Sequence, residues 1–479
     1  MNKNIPFIFK FCLLLVTTMT LNSFAQESDW RNQDIRVSFR DKRIDNFRFD
    51  NARAVKGITD FQRSTGDKPS FAKASLVDVN FQNAVISNAN FTNADLTGAT
   101  LSGADIRNTS FKGANMQNAN LYRATLLESS FPKTNLQGAR LDAMKVSDRA
   151  NFSNSNLANA SLTDMDLTKA TFKGSNLTNA TFARSLMGEA NLSKTTVENT
   201  NFSGCNLISA SFSGVYLKNV NFSRAGLSKT KFNGAKFDNV NFNSADLSLT
   251  TFNKTDFSRS QIEKASFAQA TLKKMNFNNQ NLTGVIFDKG RILGSSFEST
   301  KLTGASFFDT EVNKVVFQKA DLSKSVFDGT YIRKNIFDFA DLTKANFSNS
   351  TIEMTDFTSA QASGANFSGA TLRKVNFRNT NLQGARFNAD TKMEEVDFSG
   401  ANLSGAKIER FTAKKVIYDA NTKFPSGFEP RQYGFTRPGE KAASVVVSPQ
   451  TPVTSKTAIQ SNEQSQPTKR RKKRAAPVQ

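Results

Sequence analysis

Residues 91–110 read FTNADLTGATLSGADIRNTS and divide into four units of five residues: FTNAD, LTGAT, LSGAD and IRNTS. Each unit begins with a large apolar residue, namely Phe91, Leu96, Leu101 and Ile106, and has a small residue at its fourth position. A period of five fits neither an α-helix nor an ordinary strand. It fits a chain that makes a quarter-turn every five residues, with the large and the small side chain of each unit pointing inward.

The period extends far beyond this stretch in both directions. A large apolar residue recurs at every fifth position from Phe71 to Leu141 and, after one extra residue, from Phe152 to Phe387. A second single-residue slip precedes the last units at 398–408. Because the phase is unbroken on either side, we predict that both slips are single-residue bulges at corners, within 145–151 and 388–393.

Four five-residue units close a square coil, and successive coils stack through backbone hydrogen bonds. Units such as ANLYR, ADLTG, ANFSN and ANLSG resemble the pentapeptide-repeat family. The resemblance covers roughly residues 71–408 and implies an all-β fold, the right-handed quadrilateral β-helix (pentapeptide-repeat solenoid), with roughly 17 coils. The segment YDANTKFPSGFEP at 418–430 resembles the motif that often closes the last coil in this family.

The composition divides the chain into five parts. Residues 1–25 are typical of a secretory signal peptide, because basic residues, a short apolar run and small residues before the cut follow one another. We predict an N-terminal cap region at 26–70, the β-helix at 71–410 and a C-terminal cap at 411–436. The tail at 437–479 is rich in Ser, Thr, Pro and Gln, has no periodicity and is predicted to be disordered.

Apolar residues in the two predicted caps are candidates for covering the open ends of the coils. An uncovered end would expose unpaired backbone groups. In the N-terminal cap these residues are Ile35, Val37, Phe39, Ile44 and Phe49; in the C-terminal cap they are Phe424, Phe428, Tyr433 and Phe435.

The composition also argues against most chemistry. The chain has no histidine, which excludes Ser-His-Asp catalysis and most ordinary zinc sites. Cys205 is the one cysteine that remains after removal of the signal peptide, and it falls on an inward position. No phosphate-binding GxxxxGK[ST] motif occurs. We therefore predict no catalytic residues, no metal site, no cofactor and no enzymatic activity.

Positive charge is concentrated on one face of the predicted rod. Residues 71–410 contain 38 Lys and Arg against 29 Asp and Glu. Folding the sequence at a period of 20 places most of this excess on the face whose inward residues run from Phe232 to Leu372. We call this the basic face. Its candidate residues for an anionic partner are Lys254, Lys273, Lys274, Lys314, Arg333, Lys334, Arg373 and Lys374, with Lys231 and Arg291 on the same face. Well-screened surface charge without a partner is the alternative interpretation.

Two further features could contact partners. The tail contains six consecutive basic residues, Lys469, Arg470, Arg471, Lys472, Lys473 and Arg474, which would attract an anionic surface or merely aid solubility. Outward apolar residues form two groups on opposite faces, and they are either partner-binding patches or ordinary surface residues. The first group is Val316, Ile336 and Phe339, and the second is Ile286, Phe308 and Val326.

The favoured function is a non-enzymatic extracytoplasmic scaffold or binding rod that engages an anionic polymer or a membrane surface through the basic face and tail. The alternative is a structural or partner-binding subunit of a larger envelope or secreted assembly, with self-association through caps or apolar patches. An enzyme of the polysaccharide-lyase kind is least favoured, because such sites need grooves with clustered carboxylates. The best-known activity of the family that the chain resembles is protection of type II topoisomerases by acidic, DNA-mimicking rods. Because this chain is basic and carries an export signal, we do not expect a topoisomerase as its partner.

Overall fold

Side-chain burial repeats every five residues along the computed structural model, which describes residues 28–388 and 390–440. In the unit that begins at Phe71, the first side chain and Ala74 are buried, whereas residues 72, 73 and 75 face outward. The Phe71 amide donates to the Asn90 carbonyl at 2.8 Å, so each coil is hydrogen-bonded to the next. The result is a parallel β-solenoid of about 20 turns, which confirms the predicted fold class.

The strands are short and pair in parallel, because each coil lies directly over the previous one. In the N-terminal half they are β1 (Asp34–Ile35), β2 (Arg53–Ala54), β3 (Thr65–Asp67), β4 (Val85–Ser87), β5 (Asp105–Arg107), β6 (Thr125–Leu126), β7 (Lys145–Val146), β8 (Val197–Glu198), β9 (Tyr216–Lys218) and β10 (Lys236–Asp238). The pairs are β1 with β2, the sheet β3 to β7, and the sheet β8 to β10.

The largest sheet of the described residues has nine strands in sequential order and forms the basic face. Its strands are β11 (Thr251–Asn253), β12 (Thr271–Lys273), β13 (Arg291–Leu293), β14 (Glu311–Asn313), β15 (Tyr331–Arg333), β16 (Thr351–Glu353), β17 (Thr371–Arg373), β18 (Thr391–Glu394) and β19 (Phe411–Lys414). Beyond it, β20 (Val416–Ile417) pairs with β21 (Phe435–Thr436), and a 3-10 helix spans Pro430–Tyr433.

The corners of the coil need a left-handed backbone. Gly98 and Gly103 both have φ 67°, as expected for glycines at corners. Most corners nevertheless hold residues with a side chain, for example Asn93 at φ 58° and Lys254 at φ 54°. Such a conformation is unfavourable for most side chains and least so for Asn and Asp. Corner residues therefore add a local conformational penalty that the stacking of coils must exceed.

Most polar residues next to the core are locally satisfied, with exceptions such as the buried hydroxyls of Ser64 and Ser260. Asn90 and Asp95 each accept a hydrogen bond from the amide two residues later, at 3.0 and 3.1 Å, which explains why Asn and Asp so often precede the large apolar residue. Inward hydroxyls donate to the coil below, as Thr330 does to the Phe307 carbonyl at 2.6 Å. Asn335, a buried polar residue at a small inward position, donates to the Val312 carbonyl at 2.9 Å.

Phenylalanine rings stack down the inside of the rod. From Phe267 to Phe387 two opposite walls carry continuous ladders, with centroid separations such as 4.5 Å for Phe307 and Phe327 and 4.8 Å for Phe317 and Phe337. Along this stretch of sequence Phe alternates with Leu or Ile on most faces, which by itself predicts two such ladders on opposite walls. Buried leucines and isoleucines fill the walls between them.

The predicted bulges are confirmed for both slips. Before the first slip Thr125 pairs with Lys145, whereas across the slip Arg140 pairs with Ser161, so that coil contains one extra residue. The regular spacing then returns, with Asn151 opposite Thr171. Around the second slip Thr351 pairs with Thr371, but Thr371 pairs with Lys392, which again adds a single residue to one coil.

Coiling begins well before residue 71. Asp29 pairs with Arg48, and Arg48 pairs with Ser70, so residues 28–70 are coils of the same solenoid and not a separate structure. The paired residues are 19 and 22 positions apart. Because neither spacing is a multiple of five, the five-residue period is interrupted and did not reveal these coils in the sequence. The buried side chains include four of the residues expected to cover this end, Ile35, Phe39, Ile44 and Phe49.

The C-terminal end is covered by aromatic side chains. Phe435 stacks over Phe398 with centroids 6.1 Å apart, and Phe428 stacks on Tyr433 at 4.8 Å. The chain thereby closes the last coil where the sequence placed a cap. The signal peptide predicted at 1–25 and the basic run at 469–474 lie outside the described residues. None of the described residues forms a helix long and apolar enough to cross a bilayer.

Candidate functional site

The basic face is the outer surface of the nine-stranded sheet. In each three-residue strand the middle residue points inward, so the first and third residues face solvent, and the next residue forms the corner. Three candidate residues, Lys273, Arg333 and Arg373, hold the third position of their strands. The other five are the corner lysines Lys254, Lys274, Lys314, Lys334 and Lys374.

Coil-to-coil hydrogen bonds fix the corner lysines at regular intervals. The amide of Lys254 donates to the Lys273 carbonyl at 3.0 Å, and the amide of Lys314 donates to the Arg333 carbonyl at 3.0 Å. Lys254 and Lys274 therefore lie on adjacent coils, about 4.8 Å apart along the rod, as do Lys314 and Lys334. All of these side chains are exposed. Their ammonium groups can reach a ligand that lies along the corner.

An ion-pair ladder occupies the C-terminal end of the face. Arg333 lies 3.5 Å from Glu353. Arg373 lies between two glutamates, 3.8 Å from Glu353 and 3.2 Å from Glu394. Lys414 continues the ladder by pairing with Glu394 at 2.9 Å. Positive and negative side chains thus alternate on successive coils. Such exposed pairs contribute modestly to stability, but they neutralise the surface locally.

A second ladder runs along the corner at the same end. Lys374 lies 3.8 Å from Glu395, which also lies 3.2 Å from Lys415. Nearer the middle of the face, Arg291 pairs with Glu311 at 2.7 Å. The predicted face therefore divides into a C-terminal end whose charged residues are mostly ion-paired and a basic part whose lysines are not.

Five of the eight candidate residues have no ion-pair partner among the described residues, and they are Lys254, Lys273, Lys274, Lys314 and Lys334. The other three, Arg333, Arg373 and Lys374, are paired as above. The sequence count missed Glu394 and Glu395, because the slip before Thr391 shifts them by one position from the strict period. Adding one residue to the period after that slip would have placed both on the basic face.

Hydrogen bonding shifts the pKa of the ladder residues in the expected directions. The Lys414 ammonium lowers the pKa of the Glu394 carboxyl, and Arg373 acts in the same direction. The Glu311 carboxylate raises the pKa of the Arg291 guanidinium. These shifts favour the charged forms of Glu394 and Arg291, whose charges are used within their pairs. These paired residues do not supply free charges for a ligand.

A shallow groove of about 340 Å³ crosses the ladder end of the sheet. Thr371, Arg373, Lys392, Glu394 and Lys414 line it, together with four further residues of strands β17 to β19. Three of its four charged residues are basic, and Glu394 is the one acidic residue among them. The groove differs from the basic part of the face, whose exposed lysines stand mostly at corners of the coil.

The described residues contain no group of three or more potential metal ligands close together. Cys205 is buried, its thiol donates to the Phe182 carbonyl at 2.8 Å, and burial raises its pKa to about 12. It is thus a core residue and not a nucleophile. The two apolar groups are exposed in part, with Ile336 39 % and Phe339 58 % exposed on one face, and Ile286 38 % and Phe308 39 % on the opposite one.

Family models match the repeat sequence. A model described as pentapeptide repeats, found in eight copies, matches residues 74–113, 186–224 and 221–259. A model described as a pentapeptide repeat region matches residues 104–182 and 310–387. Together the two models cover just over half of the chain. No curated protein matches the sequence.

Several solved structures are similar to the chain. QnrB1, a plasmid-mediated fluoroquinolone resistance protein, is 18 % identical with a TM-score of 0.24, over 41 % of this chain and 90 % of QnrB1. HetL, a protein involved in heterocyst differentiation regulation from the cyanobacterium Nostoc, is 18 % identical with a TM-score of 0.12, over 74 % of this chain and 92 % of HetL. A protein from the Arabidopsis thaliana thylakoid lumen is 30 % identical with a TM-score of 0.12, over 25 % of this chain and 66 % of its own.

Proposed function

Because the chain belongs to the pentapeptide-repeat family, a family of scaffold-like rods, we propose that it is an exported binding rod whose basic face engages an extended anionic polymer or an anionic membrane surface. The observation that supports this most is the set of five lysines without an ion-pair partner among the described residues, all on one sheet. Most other charged side chains on that sheet, such as Arg291 with Glu311 and Arg373 with Glu394, are paired across coils, and Lys392 is the exception among the described residues. A row of like charges is unfavourable unless an anion lies along it.

The shape of the row favours a linear ligand. The corner lysines from Lys254 to Lys334 span four coils, roughly 19 Å, along one edge of a straight rod. An extended polyanion can follow this edge and meet several ammonium groups at once. Its binding releases counterions, so affinity falls as salt rises. The basic run at 469–474, which lies outside the described residues, adds a second cationic element in this proposal.

Two matched sets of lysines test the proposal. One set is Lys254, Lys274, Lys314 and Lys334, and the control set is Lys264, Lys319, Lys324 and Lys344 on other faces. All eight are exposed corner residues with φ between 53° and 60°, so changing either set to Gln perturbs the backbone equally. We expect the first set to weaken binding to heparin and to reduce its salt dependence, with a much smaller effect of the control set.

Equal losses from the two sets would reduce the basic face to general surface charge. Absence of binding by the unaltered protein at low salt would contradict the proposal altogether. Vesicles with and without anionic lipid separate a membrane surface from a soluble polymer. Truncation after Thr468 removes the basic run and separates its contribution from that of the lysine row.

Export is a separate part of the proposal and rests on the sequence of residues 1–25. We expect the protein recovered from the cell envelope or medium to begin at Gln26. Sequencing of the N-terminus of the natural protein tests this directly. Recovery from the cytoplasm with residues 1–25 intact would contradict export.

A second candidate function, docking to a protein partner in a larger assembly, is favoured by Phe339. This ring is 58 % exposed at φ 57°, an unfavourable place for a bulky residue, and Ile336 lies on the same face. A change of Phe339 to Asn removes the exposed ring and suits the left-handed corner. We expect Phe339→Asn to raise stability while abolishing salt-resistant capture of a partner from envelope extract. Unchanged capture would exclude this face as the docking site.

A further inference from the structure

The apolar residues Ile286, Phe308 and Val326 lie next to carboxylates on the face adjacent to the basic face. Ile286 is in register with Ser306, and Ser306 is in register with Val326, so these residues follow one column over three coils. Phe308 stands in the neighbouring column, with Asp288 on the coil below and Asp328 on the coil above. Asp309 follows Phe308 at the corner, with φ 52°. We call these six residues the acidic–apolar patch.

The ring of Phe308 is flanked by carboxylates that keep unused oxygens. Asp288 Oδ1 accepts the Phe308 amide at 3.0 Å, and Asp328 Oδ1 accepts from Ser348 Oγ at 2.6 Å and from Asn349 Nδ2 at 2.9 Å. None of the three aspartates of the patch forms an ion pair within the described part of the chain. The Oδ2 atoms of Asp288 and Asp328 therefore have no cationic partner within the described residues, and Asp309 is exposed.

A cation already lies near this ring. The ammonium nitrogen of Lys289 is 5.9 Å from the centroid of Phe308, at the outer limit of a cation–π contact. An aromatic ring between carboxylates suits a guanidinium or ammonium group, which can stack on the ring and pair with an oxygen. The patch thus has the chemistry of a receptor for a basic side chain, with apolar residues beside it for the rest of a segment.

We propose that this patch docks the basic run Lys469–Arg474 of the same chain. The patch has three carboxylates against one ammonium group, and the run has six positive charges and no negative one. A second copy placed patch to patch would bring like charges together, whereas the basic run complements the patch. The proposal does not depend on binding of a polymer by the basic face, and docking on the patch competes with any contribution of the run to that binding.

The chain is long enough for this contact. Twenty-eight residues separate Glu440, the last described residue, from the basic run, and they can span at most about 90–100 Å. The patch lies roughly six coils before the last coil, a distance of about 29 Å along the rod, and the tail must also pass around the rod to reach it. Because the run is tethered, its effective concentration at the patch is in the millimolar range or above. Modest contacts suffice to hold it there.

Zero-length carbodiimide cross-linking of the full chain tests the proposal, because it joins lysines to carboxylates that are in contact. We expect links from Lys469, Lys472 or Lys473 to Asp288, Asp309 or Asp328, lost at high salt. Mixing unlabelled with ¹⁵N-labelled protein distinguishes links within one chain from links between copies. The variant Asp288→Asn/Asp309→Asn/Asp328→Asn should lose these tail links. The control variant Asp256→Asn/Asp321→Asn/Asp341→Asn, with its changes on other faces, should leave the links unchanged.

Substitution of Phe308 tests whether stacking on its aromatic ring contributes to docking of the basic run. Phe308→Leu keeps an apolar residue but loses the aromatic face, and we expect the yield of tail links to fall about fivefold. Phe308→Tyr keeps the ring and should retain the links. Tail links spread over the carboxylates of all faces, links to Asp338 or Asp356 in place of the patch, or links only between copies would each overturn the proposal.

Discussion

Two columns of corner residues share one backbone geometry but differ in what their side chains can do. The asparagines at 159, 179, 199, 219 and 239 bond to one another, each amide nitrogen donating to the oxygen on the coil below at 2.8 to 2.9 Å. The lysines at 254, 274, 314 and 334 occupy equivalent corners with the same sign of φ. They cannot pair with each other and repel.

The comparison shows how a repeat with a fixed interior can carry different surfaces. An asparagine column satisfies its own polar groups and suits the left-handed backbone. A lysine column satisfies neither condition. The first contributes to the rod, whereas the second leaves charge available for another molecule.

The largest effect expected from a single substitution is in the interior, which both regions share. Phe327 stacks on Phe307 at 4.5 Å and Phe347 at 4.7 Å and also meets rings edge-on, whereas Phe111 stacks on only two rings, at 5.1 and 5.2 Å. Truncation of either to Ala should destabilise the rod by about 3–5 kcal/mol. We expect the larger loss for Phe327→Ala in denaturant unfolding. An equal or smaller loss for Phe327→Ala would show that the edge-on contacts between the two ring ladders add no stability.

The next effect separates the two columns directly. Asn199 and Lys314 both have φ 55°, so a change of either to Ala perturbs the same backbone conformation. Asn199→Ala removes two hydrogen bonds of 2.9 Å, to Asn179 and from Asn219. It should therefore be more destabilising than Lys314→Ala by about 1 kcal/mol. Equal free energies of unfolding for the two variants would mean that the asparagine ladder is not stabilising.

The smallest effect concerns Ala362, a small residue at a central inward position. It is fully buried between the coils of Leu342 and Leu382. The missing side-chain volume predicts that Ala362→Leu is neutral or stabilising in thermal unfolding. A loss of more than about 2 kcal/mol would show that the neighbours already fill the space.

Much of the architecture was predictable because one physical signal, the five-residue period, is repeated in nearly every coil. It placed the inward residues, the corners, the two slips and the basic face. It missed the coils at 28–70, since pairs such as Asp29 with Arg48 and Arg48 with Ser70 are spaced by 19 and 22 residues, which interrupts the period. It also missed the pairing of Arg373 with Glu394, because a slip of one residue lies between them.

The asparagine columns were not anticipated either. In the sequence an Asn at a corner is one of several residues tolerant of positive φ, and nothing local shows that the same position is an Asn in five coils. The ladder appears only when the coils are stacked. Contacts that depend on register between coils are therefore harder to predict than burial, which depends on the period alone.

The central claim is that the lysine column stabilises the rod less than the asparagine column does but leaves charge available for binding. Conversion of the lysine column into an asparagine column tests this claim most directly. The variant Lys254→Asn/Lys274→Asn/Lys314→Asn/Lys334→Asn removes four charges and places asparagines on two pairs of adjacent coils. We predict a higher melting temperature together with weaker heparin binding and a flatter dependence of its affinity on salt. A variant that binds heparin as tightly as the unaltered protein, with the same dependence on salt, would contradict the claim.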